Sequence, residues 1–178
     1  MVSSGSDFGF AATIVFTVLL LLAAVGDIRT RRISNRLVLV LTVLGLTYSI
    51  WATPVLPGVL RGTGGLITGF ACWIPFYVLG WLGAGDIKLY AAAASWLGPL
   101  HALEGALIAA VSGAVLALIW MVWTSGAKNV ASTLAIAAAR PSMLAPGSNT
   151  VAIRKTLPYG VALAFGAIVA AWMPGLLF

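Results

Sequence analysis

The sequence predicts an all-α membrane protein, a bundle of six transmembrane helices with both termini outside. Three observations lead there. The first is composition: of 178 residues, 61% are hydrophobic and 8% charged, with a mean hydropathy of +1.07. Soluble domains carry about 25% charged residues, so this much apolar material must face lipid rather than fill one core. The second is the division of the chain into six apolar runs with short connections, which makes one domain. The third is where the basic residues fall between those runs.

The spans are taken in order. The first covers about 8–25 and ends at Asp27. The residues before it, MVSSGSD, hold no Lys or Arg. A cleavable signal peptide has a basic start, so an uncleaved first span is expected. The second covers about 37–52, the third about 62–82 with Pro75 inside it, and the fourth about 87–98, closed by Gly98-Pro99. The fifth covers about 102–123 and the sixth about 157–178. A full crossing needs about 20 residues. Spans two and four are short, which suits the fourth to burial inside the bundle or to a thinned membrane. The loop 124–156 is the longest connection. Its Ala-rich stretch 127–140 reads either as a helix lying on the inner membrane surface or as an unstructured link.

Charge fixes the expected orientation. With 26–36 in the cytoplasm, six crossings also put 83–88 and 124–156 there. Nine of the ten basic residues then lie inside, and Arg61 alone lies outside, as the positive-inside rule requires. If the fourth segment did not cross, the last four basic residues would move outside. The net charge of +6 is thus an orientation signal, and no nucleic-acid partner is called for. Trp51, Trp81, Trp96, Trp120, Trp123 and Trp172 lie near span ends, as interface anchors do; Trp73 does not. Small residues in the spans suit close helix packing in lipid.

The acids carry the chemistry. The chain has three Asp and one Glu. Asp27 follows Gly26 at the end of span one, and Asp86 follows Gly85 between spans three and four. The expected topology puts both on the cytoplasmic face, and Asp7 and Glu104 on the other. Ionisable groups at the membrane edge are costly, which makes them functional candidates. Each also has a structural reading: Asp86 as a helix N-cap, Asp27 as the neutralised partner of Arg29, Arg31 or Arg32. Two carboxyls close together in a low dielectric cannot both ionise easily. One then takes a proton from water while the other polarises a carbonyl, as in aspartic proteases. The lone His101 is on the far side, so a Ser–His or Cys–His system lacks a base. Cys72, the single cysteine, forms neither a disulfide nor a CxxC pair and is read as packing. No metal cluster and no cofactor is indicated.

At these residues the chain resembles a known family. GAGDIKLYAAAASWLGP is similar to the second catalytic motif of the type IV prepilin peptidases, the GxGD membrane aspartic proteases. DIRTRRISNRL resembles their first motif, with Ser34 in place of the usual proline before Asn35, so that Ser34 or Asn35 is free to cap span two. TLPYGVALAFGA, residues 156–167, is similar to the Pro-[Phe/Tyr]-Gly start of their last helix. The resemblance implies Asp27 and Asp86 as the catalytic pair in a bacterial inner membrane. It implies cleavage of a prepilin or pseudopilin with a basic leader, at the cytoplasmic face.

Supporting roles are expected for Gly83 and Gly85 in backbone approach around Asp86, for Lys88 in tuning the pair or meeting lipid head groups, and for Asn35 at the motif turn. Pro158 is read as a first-turn proline. The arginines after Asp27 are read as orientation signals, which a basic leader would not seek. Larger relatives carry a methyltransferase portion, often with a tetracysteine zinc site, and no methyltransferase activity is expected here. With one Cys, this chain resembles the minimal peptidase-only members, such as those serving Tad/Flp pili. Two other readings compete: a small proton- or ion-coupled transporter with an Asp relay, and a secretion-system scaffold in which both acids merely cap helices.

Overall fold

A computed structural model describes residues 9–30, 32–125 and 159–177. Among these residues the chain is all helical, with α1 Phe10–Thr30, α2 Asn35–Ala52, α3 Val55–Val78, α4 Ala84–Leu97, α5 Pro99–Ser125 and α6 Tyr159–Trp172. α1, α2, α3 and the Pro99–Ile119 part of α5 are long and apolar enough to cross a membrane. α4 and α6, of 14 residues each, measure about 21 Å at 1.5 Å per residue. The Ala-rich stretch 127–140, Asp7, Arg31 and Pro158 lie outside the described residues.

The helix limits depart from the predicted spans for local reasons. α1 runs one turn past Val25, so Asp27 stands inside its last turn rather than beyond it. α3 starts at Val55, seven residues before the predicted span, because Pro54 takes the N-cap position and Pro57 falls in the first turn. There the backbone N–H groups have no intrahelical partner to lose. α3 also ends four residues early. Gly80 adopts φ 67°, its N–H reaches Tyr77 O at 2.7 Å, and the N–H of Trp81 reaches Phe76 O at 2.7 Å. This is a Schellman closure, which needs the left-handed residue that Gly supplies. α5 starts at Pro99, the favoured first-turn site for proline. α6 stops at Trp172, where Pro174 and Gly175 (φ 81°) turn the chain.

α4 is the hub, in contact with α1, α2, α3, α5 and α6. From Leu89 to Leu97 every residue is buried. Four consecutive alanines, Ala91–Ala94, make it thin enough to be surrounded. α3 closes on it through Gly65, whose missing Cβ would lie against Ala94 O, and Gly69, where a Cβ would be 2.9 Å from Ala91 Cα. Such small-residue contacts are the lipid-phase substitute for a hydrophobic drive between helices.

Buried polar groups tie the hub to its neighbours. Ser49 Oγ donates to Ser95 O at 2.9 Å, Trp96 Nε1 to Leu41 O at 2.8 Å, and Tyr90 Oη to Ala102 O at 2.6 Å. Trp96 is therefore a core residue, 3% exposed, and not the interface anchor predicted from its position. Its ring lies against Tyr48 and Phe16. Trp51, Trp81, Trp123 and Trp172 are exposed as predicted. Cys72 is half-buried against the core. Exposed Leu, Val and Ile side chains cover the outer faces of α1, α2, α3 and α5, the surface expected of a lipid-facing bundle.

The candidate active site

The last turn of α1 and the first turns of α4 and α6 meet at one end of the bundle. Asp27 enters from α1 and is buried. A helix C-terminus disfavours an anion, because the macrodipole leaves partial negative charge there. The compensation comes from another helix. Gly160, the second residue of α6, donates its backbone N–H to Asp27 Oδ2 at 2.9 Å. A helix N-terminus presents free N–H groups and partial positive charge, which suit a carboxylate.

Asp86 is the third residue of α4 and half-buried. Gly83 stands at the N-cap, and the Asp86 carboxylate reaches back to accept its N–H at 3.1 Å. Asp86 is thus not the N-cap that its sequence position suggested. It fills the site where a capping-box acid sits. It lies outside the four helices long enough to cross a membrane, and its acidity is still displaced. Burial raises its pKa from 3.8 to about 6, the Gly83 bond opposes the rise, and the nearby charge of Asp27 adds to it. The structure therefore brings the two sequence-predicted acids into electrostatic contact.

The other predicted residues divide. Gly83 borders the site, and a Cβ on it would lie 3.2 Å from Asp86 Oδ2. Gly85 faces Ile33, where a Cβ would find an ordinary 3.5 Å contact. Lys88 is exposed; residues two apart on a helix do not share a face, so it points away from Asp86. Asn35 opens α2 and is exposed, and Ser34 holds the N-cap position without a side-chain cap bond. Arg29, Arg32, Arg36 and Lys88 are all exposed at the aspartate end, whereas Arg61 lies at the other end beside Gly98. The basic residues thus segregate among the described residues as the sequence predicted.

Sequence reasoning did not name Gly160 as a site residue. Its signal was present in the Tyr159-Gly160 pair that opens α6, but a backbone N–H has no letter in a sequence. Neither did it foresee the use of Glu104. At the far end this buried carboxylate accepts the N–H of Leu177 at 2.9 Å and of Gly175 at 3.2 Å, and lies 3.2 Å from His101 Nδ1. Among the described residues, no group of three or more His, Cys, Asp or Glu could hold a metal ion.

The model of the type IV leader peptidase family matches residues 14–118, a stretch that contains both aspartates and stops short of α6. The chain is also similar to the prepilin leader peptidase/N-methyltransferase of Pectobacterium carotovorum subsp. carotovorum. The two are 32% identical over 118 residues, covering 62% of this chain and 41% of that protein. The chain thus spans about two fifths of the length of that curated relative. No solved structure matches it.

Proposed function

The chain belongs to the type IV leader peptidase family, and on that premise we propose that it is an aspartic endopeptidase using Asp27 and Asp86 as its catalytic pair. The substrates are prepilins or pseudopilins with a basic leader, cut at the cytoplasmic face of the bacterial inner membrane. The observation that carries this reading is the pairing itself. Two of the four acids in the chain, 59 positions apart, meet at one end of an apolar bundle, and one raises the pKa of the other.

The environments suggest distinct roles. Asp27 accepts a helix-terminal N–H, as the proton acceptor of the pair would. Asp86 resists ionisation because it is desolvated and faces that charge. Asp27 then takes a proton from water as the oxygen attacks the scissile carbonyl carbon, and Asp86 gives its proton to the carbonyl oxygen. The tetrahedral intermediate collapses as the C–N bond breaks: the leaving nitrogen takes the proton held by Asp27, and a hydroxyl of the intermediate returns one to Asp86. Because the two carboxyls are coupled, these roles describe the dominant arrangement of a single shared proton.

The charge segregation supports the cytoplasmic placement of the aspartate end. Arg29, Arg32, Arg36 and Lys88 would repel a basic leader, so recognition rests on other features of the substrate. The test is co-expression with a candidate prepilin, followed by the gel shift of leader removal. Processing by wild type, lost in both Asp27→Asn and Asp86→Asn at equal membrane levels, is expected. Normal cleavage with either variant returns the protein to the scaffold reading.

A further inference from the structure

We propose that the first turn of α6 is a working part of the catalytic site, with Gly160 as the residue that positions Asp27. This inference rests on the reading of Asp27 and Asp86 as the catalytic pair. It extends the site beyond residues 14–118, where the family model ends.

The geometry makes two demands of position 160. The first is the N–H, which is held 2.9 Å from Asp27 Oδ2 in a buried setting. It offsets the unfavourable end of α1 with the favourable end of α6. The second is empty space. A Cβ at 160 would lie 2.8 Å from Oδ2, 3.1 Å from Cγ and 3.2 Å from Cβ of Asp27. Three atoms of the acid would be crowded, so turning the carboxylate tip cannot relieve the contact and the whole side chain must shift. The glycine is not there for its backbone freedom. Gly160 is helical and is not among the positive-φ glycines. In a helix, alanine is the better former. Selection of Gly at this point therefore works against local stability and in favour of the acid's place.

Gly160→Ala separates site from fold. In the full chain, purified in detergent and assayed on a prepilin-like peptide, kcat is expected to fall by about 10- to 100-fold, the scale of one charge-assisted hydrogen bond. KM stays within about twofold, because no substrate contact is removed. Some thermal stability is lost with the bond, so kcat is compared at a temperature where both proteins are folded. A variant with wild-type kcat overturns the proposal.

A second measurement needs no variant of Gly160. Tyr159-Gly160 is the single Tyr-Gly pair in the sequence, so 13C-carbonyl tyrosine with 15N-glycine labelling yields one amide signal. Its proton is expected downfield in wild type and shifted upfield in Asp27→Ala; an unchanged position refutes the hydrogen bond. The two levels of the argument fail separately. Full activity of Asp27→Asn or Asp86→Asn defeats the catalytic pair, whereas full activity of Gly160→Ala beside two dead Asn variants defeats this inference alone.

Discussion

Replacing Asp86 by Asn is expected to stabilise the protein at neutral pH while abolishing cleavage. In the folded chain the carboxyl titrates at about 6 instead of 3.8, a difference of about two units. At about 1.4 kcal/mol per unit this amounts to about 3 kcal/mol, an upper figure because the group is only half-buried. The sign follows from linkage. Between the two values the folded state holds the proton more tightly than the unfolded state. Stability from this site is therefore full below pH 4 and lost as pH rises through 6. Asn does not titrate, and its Oδ1 still accepts the Gly83 N–H. The stability gap between variant and wild type should then open by about 2–3 kcal/mol from pH 4 to pH 8. Reversible unfolding in mixed micelles at each pH measures it. Because desolvation is the largest cause and Asp27 the smaller, most of the gap should survive when both proteins carry Asp27→Asn. A gap that is the same at pH 4 and pH 8 refutes the assignment of a buried, proton-retaining acid.

The remaining expectations are more direct. The kcat/KM profile should fall above pH 6, by about tenfold per unit, as Asp86 loses the proton it donates; a flat profile to pH 8 counts against its role as the acid. Gly65→Val should cost at least about 2 kcal/mol, because the new side chain meets the backbone of Ala94 and Gly98, and the loss is read as a lower unfolding midpoint. Glu104→Ala should cost about 3 kcal/mol, since the N–H groups of Gly175 and Leu177 lose a charged acceptor; an unchanged midpoint would refute the clasp.

The order of the described helices was legible because apolar runs, glycines and prolines act locally. Gly98-Pro99 marks an end for reasons that need no tertiary context, whereas Pro174 lies inside the stretch read as the sixth span. Gly80 was harder to use, since its left-handed turn sits inside an apolar run that reads as continuous span. Trp96 was misread because distance from a span end cannot tell a lipid-facing ring from one that reaches across the bundle to Leu41 O. The site was legible in its acids, because acids are rare here and each stands at the edge of an apolar run. What holds those acids was not legible, because the holders are backbone N–H groups and missing Cβ atoms at remote positions. The separation between Asp27 and Gly160 is 133 residues, and no local pattern spans it.

These remote holders explain how so apolar a helix keeps a catalytic register. α6 is built of small and aliphatic residues, and its contacts with α5 run through Gly166 against the backbone of Gly105 and Ala109. Smooth contacts of that kind fix distance between helices better than they fix position along the axis. Each end of α6, however, meets a buried carboxylate from a different helix. Asp27 on α1 takes the N–H of Gly160 at its start, and Glu104 on α5 takes the N–H groups of Gly175 and Leu177 just past its finish. A slide of one residue is 1.5 Å, enough to break both sets of bonds. The far-end clasp therefore helps to hold the Gly160 N–H against Asp27. Two acids that cost free energy to bury thereby fix the axial position that an apolar interface leaves loose.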